Sequence, residues 1–187
     1  MSGIFEHGCW TGVDGLPHRH DPALADALAA LLPEGESVAD LGCGDGAYVR
    51  RLRETNLDVD GYDGNPQTPQ LTGGMCCVFD LAGDYELGDV CDTVLCLEVL
   101  EHIPVEYEGL AVLRVCQAAR NRIIISWAHP GQGGLGHYNC RPLDYVRAVF
   151  AAHGFIANEP ATAALRERAT LSWFQSNLLV LEKETSA

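Results

Sequence analysis

Three ionisable residues, Glu98, Glu101 and His102, follow a predicted strand at positions i, i+3 and i+4. If the chain enters a helical turn after that strand, this spacing places all three side chains on one face. Two carboxylates and an imidazole on one face can bind a divalent cation. The histidine can also act as a general base, because its pKa lies close to physiological pH. The sequence therefore predicts a chemically active cluster here.

A second pattern combines an acidic residue with a glycine-rich turn. Asp40 lies near the end of a predicted strand, and Gly42, Gly44 and Gly46 follow it. Glycines let the backbone turn tightly, and a ligand can then lie against main-chain amides at a helix N-terminus. Through Ala47 the same residues also fit the dinucleotide-binding fingerprint. A nicotinamide-dependent reductase is therefore an alternative at this point.

Two further carboxylates lie at the ends of the next two predicted strands. Asp63 comes 23 positions after Asp40 and precedes Gly64 and Asn65, and Asp80 precedes Leu81. A carboxylate at the first position can bind ribose hydroxyls. The second can accept a hydrogen bond from an adenine amino group. Each carboxylate could instead cap a turn or be solvated.

The elements that must position these residues alternate between short β-branched runs and longer helical patterns. This alternation predicts one α/β domain, a parallel sheet with helices on both faces. A glycine-rich loop at 130–136 is longer than most connections, which favours a functional role. The predicted strands are 37–41, 59–62, 76–79, 93–97, 122–126, 155–158 and 177–182, and the predicted helices are 21–32, 47–54, 105–119 and 143–153.

Together these patterns resemble the class I S-adenosylmethionine-dependent methyltransferases over residues 37–182, and the segment CDTVLCLEVLEHIP at 91–104 is the most specific match. The resemblance implies a Rossmann-like, seven-stranded, mostly parallel sheet with one antiparallel strand near its end. It also implies S-adenosylmethionine as cofactor and S-adenosylhomocysteine as product. The residues expected to bind the cofactor are Asp40, Gly42, Cys43, Gly44, Gly46, Asp63, Gly64, Asn65, Asp80, Leu81 and Leu97.

A similar Glu-x-x-Glu-His pattern contributes metal ligands in ubiquinone-pathway O-methyltransferases and in small-RNA terminal ribose methyltransferases. The second group adds a histidine after strand five, for which this chain offers His137, with His129 as a weaker choice. The implied ligands are Glu98, Glu101, His102 and His137, a mixed set that suits magnesium, manganese, iron or zinc. Many methyltransferases carry the same motif without metal. In that case the expected catalytic residues are His102, His137 and Glu98.

Length and charge restrict the possible partners. The chain has 187 residues and a formal net charge of −14, so it has room for one domain and repels polyanions. We expect no binding of nucleic acid or of an anionic membrane. No secretory signal is evident and no apolar run is long enough to span a bilayer, so we expect a cytoplasmic protein. The eight cysteines form no Cys-x-x-Cys pair and are expected to be mostly reduced and buried, with Cys9 and Cys140 least certain.

Residues 1–36 precede the predicted core at 37–187 and hold three of the seven histidines, together with Trp10. We expect this N-terminal segment and its helix to cover the cofactor and to line the acceptor pocket, although it could instead pack on the sheet edge. Trp173 and Phe174 could line the same pocket or belong to the core.

The favoured activity is O-methylation of a small molecule, with or without a metal. N-methylation of a small amine is the alternative, and a non-catalytic cofactor-binding protein is a further one. The sequence does not indicate the acceptor or the oligomeric state.

Overall fold

The computed structural model describes residues 3–4, 7–13, 18–84 and 90–184. A seven-stranded sheet forms the centre, and helices pack on both of its faces. Its strands are β3 (Ser37–Leu41), β4 (Asp58–Asp63), β5 (Cys77–Val78), β6 (Cys91–Leu97), β7 (Ala119–Ser126), β8 (Phe155–Ala157) and β9 (Leu179–Lys183). Two short N-terminal strands, β1 (Gly3–Ile4) and β2 (Trp10–Thr11), pair with each other. The predicted fold class is confirmed.

The strand order is β5-β4-β3-β6-β7-β9-β8. Strand β9 is antiparallel to both of its neighbours, while the pairs from β5 through to β7 are parallel. The antiparallel strand implied by the family resemblance is therefore present. Strand β4 pairs on one side of β3, and β6, which follows later in the chain, pairs on the other side of β3. Ligands of open α/β sheets bind at such a switch point, beyond the carboxyl ends of the strands.

The sheet is buried on both faces, as the unbroken apolar runs of β6 and β7 predict. Side chains alternate along β6, so Val94 and Cys96 join one core while Leu95 and Leu97 join the other. The first core also contains side chains of α4 (Glu108–Ala118) and α5 (Leu143–Ala151). The second contains side chains of α1 (Pro22–Leu31), α2 (Ala47–Arg53), α6 (Glu159–Arg168) and α7 (Ser172–Asn177). A single turn of helix, α3 (Thr68–Leu71), precedes β5.

Helix α1 begins as its sequence predicts. The Asp21 carboxylate accepts hydrogen bonds from the amides of Ala23 and Leu24, and Pro22 occupies the first turn, where it needs no donor. Asp21 also accepts hydrogen bonds from the amides of Thr170 and Leu171, at 2.5 and 2.8 Å. The cap of α1 therefore also fixes the segment between α6 and α7.

Some predicted boundaries are wrong. The predicted helix at 105–119 begins with a 3₁₀ turn, Val105–Tyr107, and ends at Ala118 because Ala119 already belongs to β7. The predicted last strand started at Asn177, but this residue ends α7 and β9 starts at Leu179. Helices α6 and α7 were not predicted, although Asn158 caps α6 and a proline lies in its first turn.

Five of the eight free cysteines are buried as predicted: Cys43, Cys76, Cys91, Cys96 and Cys116. Cys77 is exposed, which differs from the prediction, while Cys9 and Cys140 are half-buried. Among the helices of the described residues, none has the length and apolarity needed to cross a bilayer.

Candidate functional site

The glycine-rich turn connects β3 to α2. Gly42, Gly44 and Gly46 all have positive φ angles of 86°, 56° and 74°, which other residues rarely adopt. A side chain on Gly42 would also collide with Val99, because a Cβ atom there would lie 2.3 Å from Val99 Cγ2. The amides of Gly42 and Cys43 donate to the Tyr62 carbonyl at 2.7 and 2.9 Å, which fixes the turn against β4.

Asp40 lies beneath this turn and lines the cleft, with 2 % of its surface exposed. Its Oδ2 atom is buried and has no hydrogen-bond partner among the described residues. Burial, together with the charges of Cys76, Asp63 and Asp45, raises the pKa of Asp40 to about 8. The unpartnered oxygen is therefore available to a ligand that donates a hydrogen bond or carries positive charge.

Asp63 ends β4 and connects two parts of the site. One carboxylate oxygen accepts from the Gly44 amide at 2.9 Å, and the other accepts from the Asn65 amide at 2.8 Å. The turn-capping role given above as an alternative is thus present, yet Asp63 and Gly64 also line the cleft. Asn65 does not line it, because its side chain donates to the Gly12 carbonyl at 2.8 Å.

Asp80 and Leu81 lie at the far end of the cleft. The Asp80 carboxylate accepts from the Ala82 amide at 2.8 Å, and its other oxygen lies 2.5 Å from Nδ1 of His7. Arg114, a residue that sequence reasoning missed, donates to the carbonyls of both Asp80 and Leu81 at 3.0 and 2.9 Å. This arginine fixes the backbone that presents the predicted adenine-binding carboxylate.

These elements enclose a cavity of about 410 Å³. Most of the predicted cofactor residues line it; Gly46 and Asn65 do not. Trp173 lines it as well, whereas Phe174 is buried in the core with 1 % of its surface exposed. The predicted residues that line the cavity are Asp40, Gly42, Cys43, Gly44, Asp63, Gly64, Asp80, Leu81, Leu97, Glu98, His102 and His137.

Residues 7–13, here called the strap, cover one side of this cavity. The Trp10 ring lies 5.1 Å from the ring of His102 and 5.2 Å from that of His18. Gly8 packs so closely on the His102 carbonyl that a Cβ atom would lie 1.8 Å from its oxygen. The strap therefore contacts the predicted catalytic cluster directly, and through His18 it is connected to Gly44 of the glycine-rich turn.

Glu98 departs from its predicted geometry. The turn after β6 begins at Val99, where the His102 and Ile103 amides donate to the Val99 and Leu100 carbonyls, and Glu98 precedes it. Glu98 has a φ of +56°, a left-handed conformation that is costly for a residue with a side chain. Its carboxylate accepts hydrogen bonds from Asn177 Nδ2 at 2.7 Å and from Gln132 Nε2 at 2.5 Å. The expectation that Glu98, Glu101 and His102 share one helical face is therefore wrong.

Glu101, His102 and His137 do converge. One possible ligand atom from each residue lies within 4.8 Å of the others, and Nε2 of His137 is 4.0 Å from Oε1 of Glu101. Glu101 is fully buried behind the cavity wall, and its carboxylate lies within reach of the Glu98 carboxylate and of the amides of Glu101 and Ala128. His129 is exposed and lies outside this cluster.

The second nitrogen of each histidine in the cluster faces a carbonyl. Nδ1 of His102 lies 3.1 Å from the Gly136 oxygen, and Nδ1 of His137 lies 3.2 Å from the Gln132 oxygen. A carbonyl only accepts, so each hydrogen bond requires the proton on Nδ1 and leaves a lone pair on Nε2. This arrangement is typical of histidines that bind metals.

Burial determines the charges of this cluster. Desolvation, followed by the repulsion from Glu98, raises the pKa of Glu101 well above its usual range. Desolvation, followed by the proximity of His137, lowers the pKa of His102 to about 4. His102 is therefore neutral at pH 7, and an isolated Glu101 favours its protonated form. A cation in contact with both residues would reverse this preference for Glu101.

Two backbone hydrogen bonds connect the residues that follow His137 to Glu101. The amides of Tyr138 and Asn139 both donate to the Glu101 carbonyl at 2.9 Å. Buried Glu108 then accepts from Asn139 Nδ2 and Arg141 Nε, both at 2.8 Å. Sequence reasoning missed Glu108, Gln132 and Asn177; for Gln132 the unusual loop at 130–136 was the available signal.

A family model described as a methyltransferase domain matches residues 16–114. A ubiquinone biosynthesis O-methyltransferase of Xanthomonas campestris is 29 % identical over 122 residues, covering 57 % of this chain and 49 % of the relative. The chain thus spans about half the length of that curated relative.

Two solved structures share the fold. The magnesium protoporphyrin IX methyltransferase of Synechocystis PCC 6803 with bound S-adenosylhomocysteine superposes with a TM-score of 0.62 at 22 % identity, over 86 % of this chain and 82 % of that one. A sugar N-methyltransferase of Streptoalloteichus has a TM-score of 0.67 at 17 % identity, over 87 % of both chains. Taken with the family match, which covers more than half of the sequence, they show that the chain belongs to the class I S-adenosylmethionine-dependent methyltransferase family.

Proposed function

We propose that the chain binds S-adenosylmethionine in the cavity and transfers its methyl group to a hydroxyl group of a small molecule. The observation that carries this proposal is the cluster of Glu101, His102 and His137 beside a cleft built from the glycine-rich turn. The name of the Xanthomonas relative, an O-methyltransferase, agrees with it. Within this family the Gly42-to-Ala47 pattern no longer favours a nicotinamide cofactor.

The residues of the cleft fit the proposed cofactor. Asp63 and Asp80 occupy the ends of β4 and β5, where the ribose and adenine groups are expected, and Asp40 offers an unpartnered oxygen. Several carboxylates and one exposed arginine, Arg19, line the cavity, so its field favours a cationic ligand. S-adenosylmethionine supplies a methyl group already activated by a sulfonium. The protein must then mainly align the acceptor and exclude water.

We propose that Glu101, His102 and His137 hold a divalent metal ion. The buried Glu101 carboxylate and the two Nε2 lone pairs form a mixed oxygen and nitrogen set that suits manganese, iron, zinc or magnesium. A bound metal lowers the pKa of an acceptor hydroxyl. Glu98 was predicted as a fourth ligand, but it lies outside the group of Glu101, His102 and His137 whose possible ligand atoms lie within 4.8 Å of one another. Its role in this proposal is to orient Gln132 and Asn177.

The two histidines give the same site a second way to activate a hydroxyl. His102 and His137 both line the cavity, and each keeps a lone pair on Nε2. If no metal is bound, either ring can accept the acceptor's proton as a general base. An amine acceptor needs only to arrive unprotonated, so N-methylation needs neither route. The structural similarity to a sugar N-methyltransferase supports this second candidate function.

The strap supports a small acceptor. His7, Gly8, Cys9 and Trp10 of the strap line the cavity together with the glycine-rich turn. We propose that residues 1–36 act as a lid segment with its helix, and that residues 37–187 form the cofactor-binding core. A covered cavity and a net charge of −14 both disfavour nucleic acid as the acceptor.

A manganese titration tests the metal site directly. The wild-type protein should bind Mn²⁺ by calorimetry, and Glu101→Gln and His137→Gln should weaken that binding at least tenfold, because each removes one of three ligands. His129→Gln is the matched control, since His129 is exposed and outside the cluster. Equal Mn²⁺ affinity in all four proteins would contradict the proposed site.

Methyl-transfer assays then separate the two candidate functions. Catechols and primary amines serve as model acceptors, each measured after EDTA treatment and after manganese is added back. Transfer to hydroxyls that EDTA abolishes and manganese restores supports metal-assisted O-methylation. Transfer confined to amines, and unaffected by EDTA, supports N-methylation instead.

A further inference from the structure

Two buried thiols meet beneath the glycine-rich turn. A Cβ atom placed on Gly61 would lie 2.4 Å from Cys76 Sγ and 3.2 Å from Cys43 Sγ, so both sulfurs lie against the same point of β4. Cys43 belongs to the turn itself, and Cys76 immediately precedes β5. The two residues are 33 positions apart in sequence, and the fold brings their side chains together.

The two thiols interact directly. The Cys43 thiol donates a hydrogen bond to the Cys76 sulfur; this bond lowers the pKa of Cys76, and the charge of Arg53 acts in the same direction. The same bond, followed by burial, raises the pKa of Cys43. The Cys76 sulfur is therefore the better nucleophile of the two, and the Cys43 sulfur lies next to it.

A small oxidant in the cofactor cavity can reach Cys43, the member of the pair that lines this cavity. Cys43 lines the cavity and keeps 6 % of its surface exposed, whereas Cys76 lies behind it with 2 % exposed. A ligand that fills the cavity would cover Cys43. Cys43 is therefore accessible when the cavity is empty and shielded when it is occupied.

We propose that Cys43 and Cys76 form a reversible disulfide when hydrogen peroxide enters the empty cavity. The thiolate of one cysteine attacks the peroxide, so an S–O bond forms, the O–O bond breaks and the leaving hydroxide is protonated to water. The sulfur of the second cysteine then displaces the oxygen of this sulfenic acid, which forms the S–S bond and releases a second water molecule. Two thiols and one peroxide thus give one disulfide and two water molecules.

The disulfide acts on the glycine-rich turn, and this effect rests on the proposed cofactor binding. Cys43 lies between Gly42 and Gly44, and its amide donates to the Tyr62 carbonyl at 2.9 Å. A covalent bond to Cys76 pulls this residue toward β5 and away from the geometry in which the Gly44 amide meets Asp63. Oxidation should therefore weaken cofactor binding, and reduction should restore it.

The test uses the full-length Cys77→Ser protein, because exposed Cys77 neighbours Cys76 and would confuse the assignment. The protein is treated with hydrogen peroxide, its remaining thiols are blocked, and its peptides are analysed by mass spectrometry. We expect a peptide pair that joins positions 43 and 76, formed at least tenfold more slowly when saturating S-adenosylhomocysteine is present. We also expect at least tenfold weaker S-adenosylhomocysteine binding after oxidation, reversed by dithiothreitol.

A Cys76→Ser variant in the same background should keep its S-adenosylhomocysteine affinity after peroxide treatment, and Cys116→Ser should behave like the parent. Absence of the 43–76 peptide, under conditions that oxidise Cys77 in the wild-type protein, overturns the proposed disulfide. Formation of the disulfide with unchanged cofactor affinity overturns its proposed effect on the turn. If the reduced protein does not bind S-adenosylhomocysteine, the proposed function fails, while the peptide analysis still decides whether the disulfide forms.

Discussion

At the residue scale, two buried carboxylates, those of Asp40 and Glu101, are the groups most relevant to ligand binding. Asp40 and Glu101 are both almost fully buried, and Asp40 Oδ2 has no hydrogen-bond partner among the described residues. Such groups destabilise the protein unless a proton or a ligand satisfies them. The position of Asp40 in the cleft, and that of Glu101 beside His102 and His137, therefore favours a role in binding rather than in folding.

Asp40 gives a pH-dependent prediction. Its pKa rises from 3.8 to about 8 in the folded protein, so between these values the folded state binds a proton that the unfolded state has released. Its contribution to stability is therefore lost as pH rises through this window. Asp40→Asn should increase the free energy of unfolding by up to roughly 4 kcal/mol at pH 7.

Urea denaturation at pH 5 and pH 8 measures this effect. The stability difference between Asp40→Asn and wild type should be larger at pH 8. An equal difference at the two pH values would contradict the raised pKa. Asp26→Asn, which breaks an exposed ion pair with Arg51, is the control; it should cost less than about 1 kcal/mol, by the same amount at both pH values.

The sequence predicted much of the site at this scale, because Asp40, Asp63 and Asp80 follow strands whose ends meet in a parallel sheet. Glu98 could not be placed correctly. Its spacing to Glu101 fits a helix, but its left-handed backbone directs the side chain to Asn177 and Gln132. Asn177 is 79 positions away, so no local pattern indicates this contact.

At the scale of elements, the strap and the segment that carries His137 close the site from two sides. Each is held by a few defined contacts rather than by a large core. The strap is held by the packing of Trp10 on His102 and by the hydrogen bond from Asn65 to its backbone. The segment that carries His137 is held by hydrogen bonds to the Glu108 carboxylate and to the Glu101 carbonyl. Single substitutions should therefore separate their roles.

Trp10→Ala should weaken S-adenosylhomocysteine binding about tenfold, because it removes the ring that packs between His18 and His102. Calorimetric titration measures the change, and Val13→Ala is the matched control, since Val13 is exposed within the same strap. Deletion of residues 1–20 should abolish turnover while the core remains folded. Unchanged turnover after this deletion would contradict the proposed lid.

Glu108→Gln should lower the free energy of unfolding by about 2 kcal/mol, because it removes the charge of a buried carboxylate that accepts from Asn139 and pairs with half-buried Arg141. It should also weaken Mn²⁺ binding, since the segment carrying His137 loses its anchor. Chemical denaturation and metal titration measure the two effects. Glu159→Gln breaks an exposed ion pair with Arg147 and should cost less than about 1 kcal/mol. Equal costs for the two variants would contradict the anchoring role.

The boundaries of helices and strands show where sequence patterns stop being sufficient. Helix α1 was predicted correctly because Asp21 and Pro22 form a local start signal. Strand β5 was predicted at 76–79 but spans only Cys77–Val78, because it pairs along one edge with the end of β4 alone. Pairing depends on partners distant in sequence, which periodicity does not reveal.

For the whole molecule, the alternation of strands and helices predicted the α/β class, whereas the antiparallel position of β9 followed from the family resemblance. The crevice between β3 and β6 is where this topology places ligands, and the cavity lies there. The acceptor depends on the lining of that cavity and on residues that vary within one fold. The fold therefore supports the cofactor more strongly than it supports any acceptor.

The central claim is that this cavity binds S-adenosylmethionine or its product, and calorimetric titration with S-adenosylhomocysteine tests it most directly. We predict micromolar binding to the wild-type protein, at least tenfold weaker binding to Asp63→Ala, and unchanged binding to the exposed-site variant Asp60→Ala. The titration is repeated after EDTA treatment and after manganese is added back. Absence of binding in both states would contradict the account.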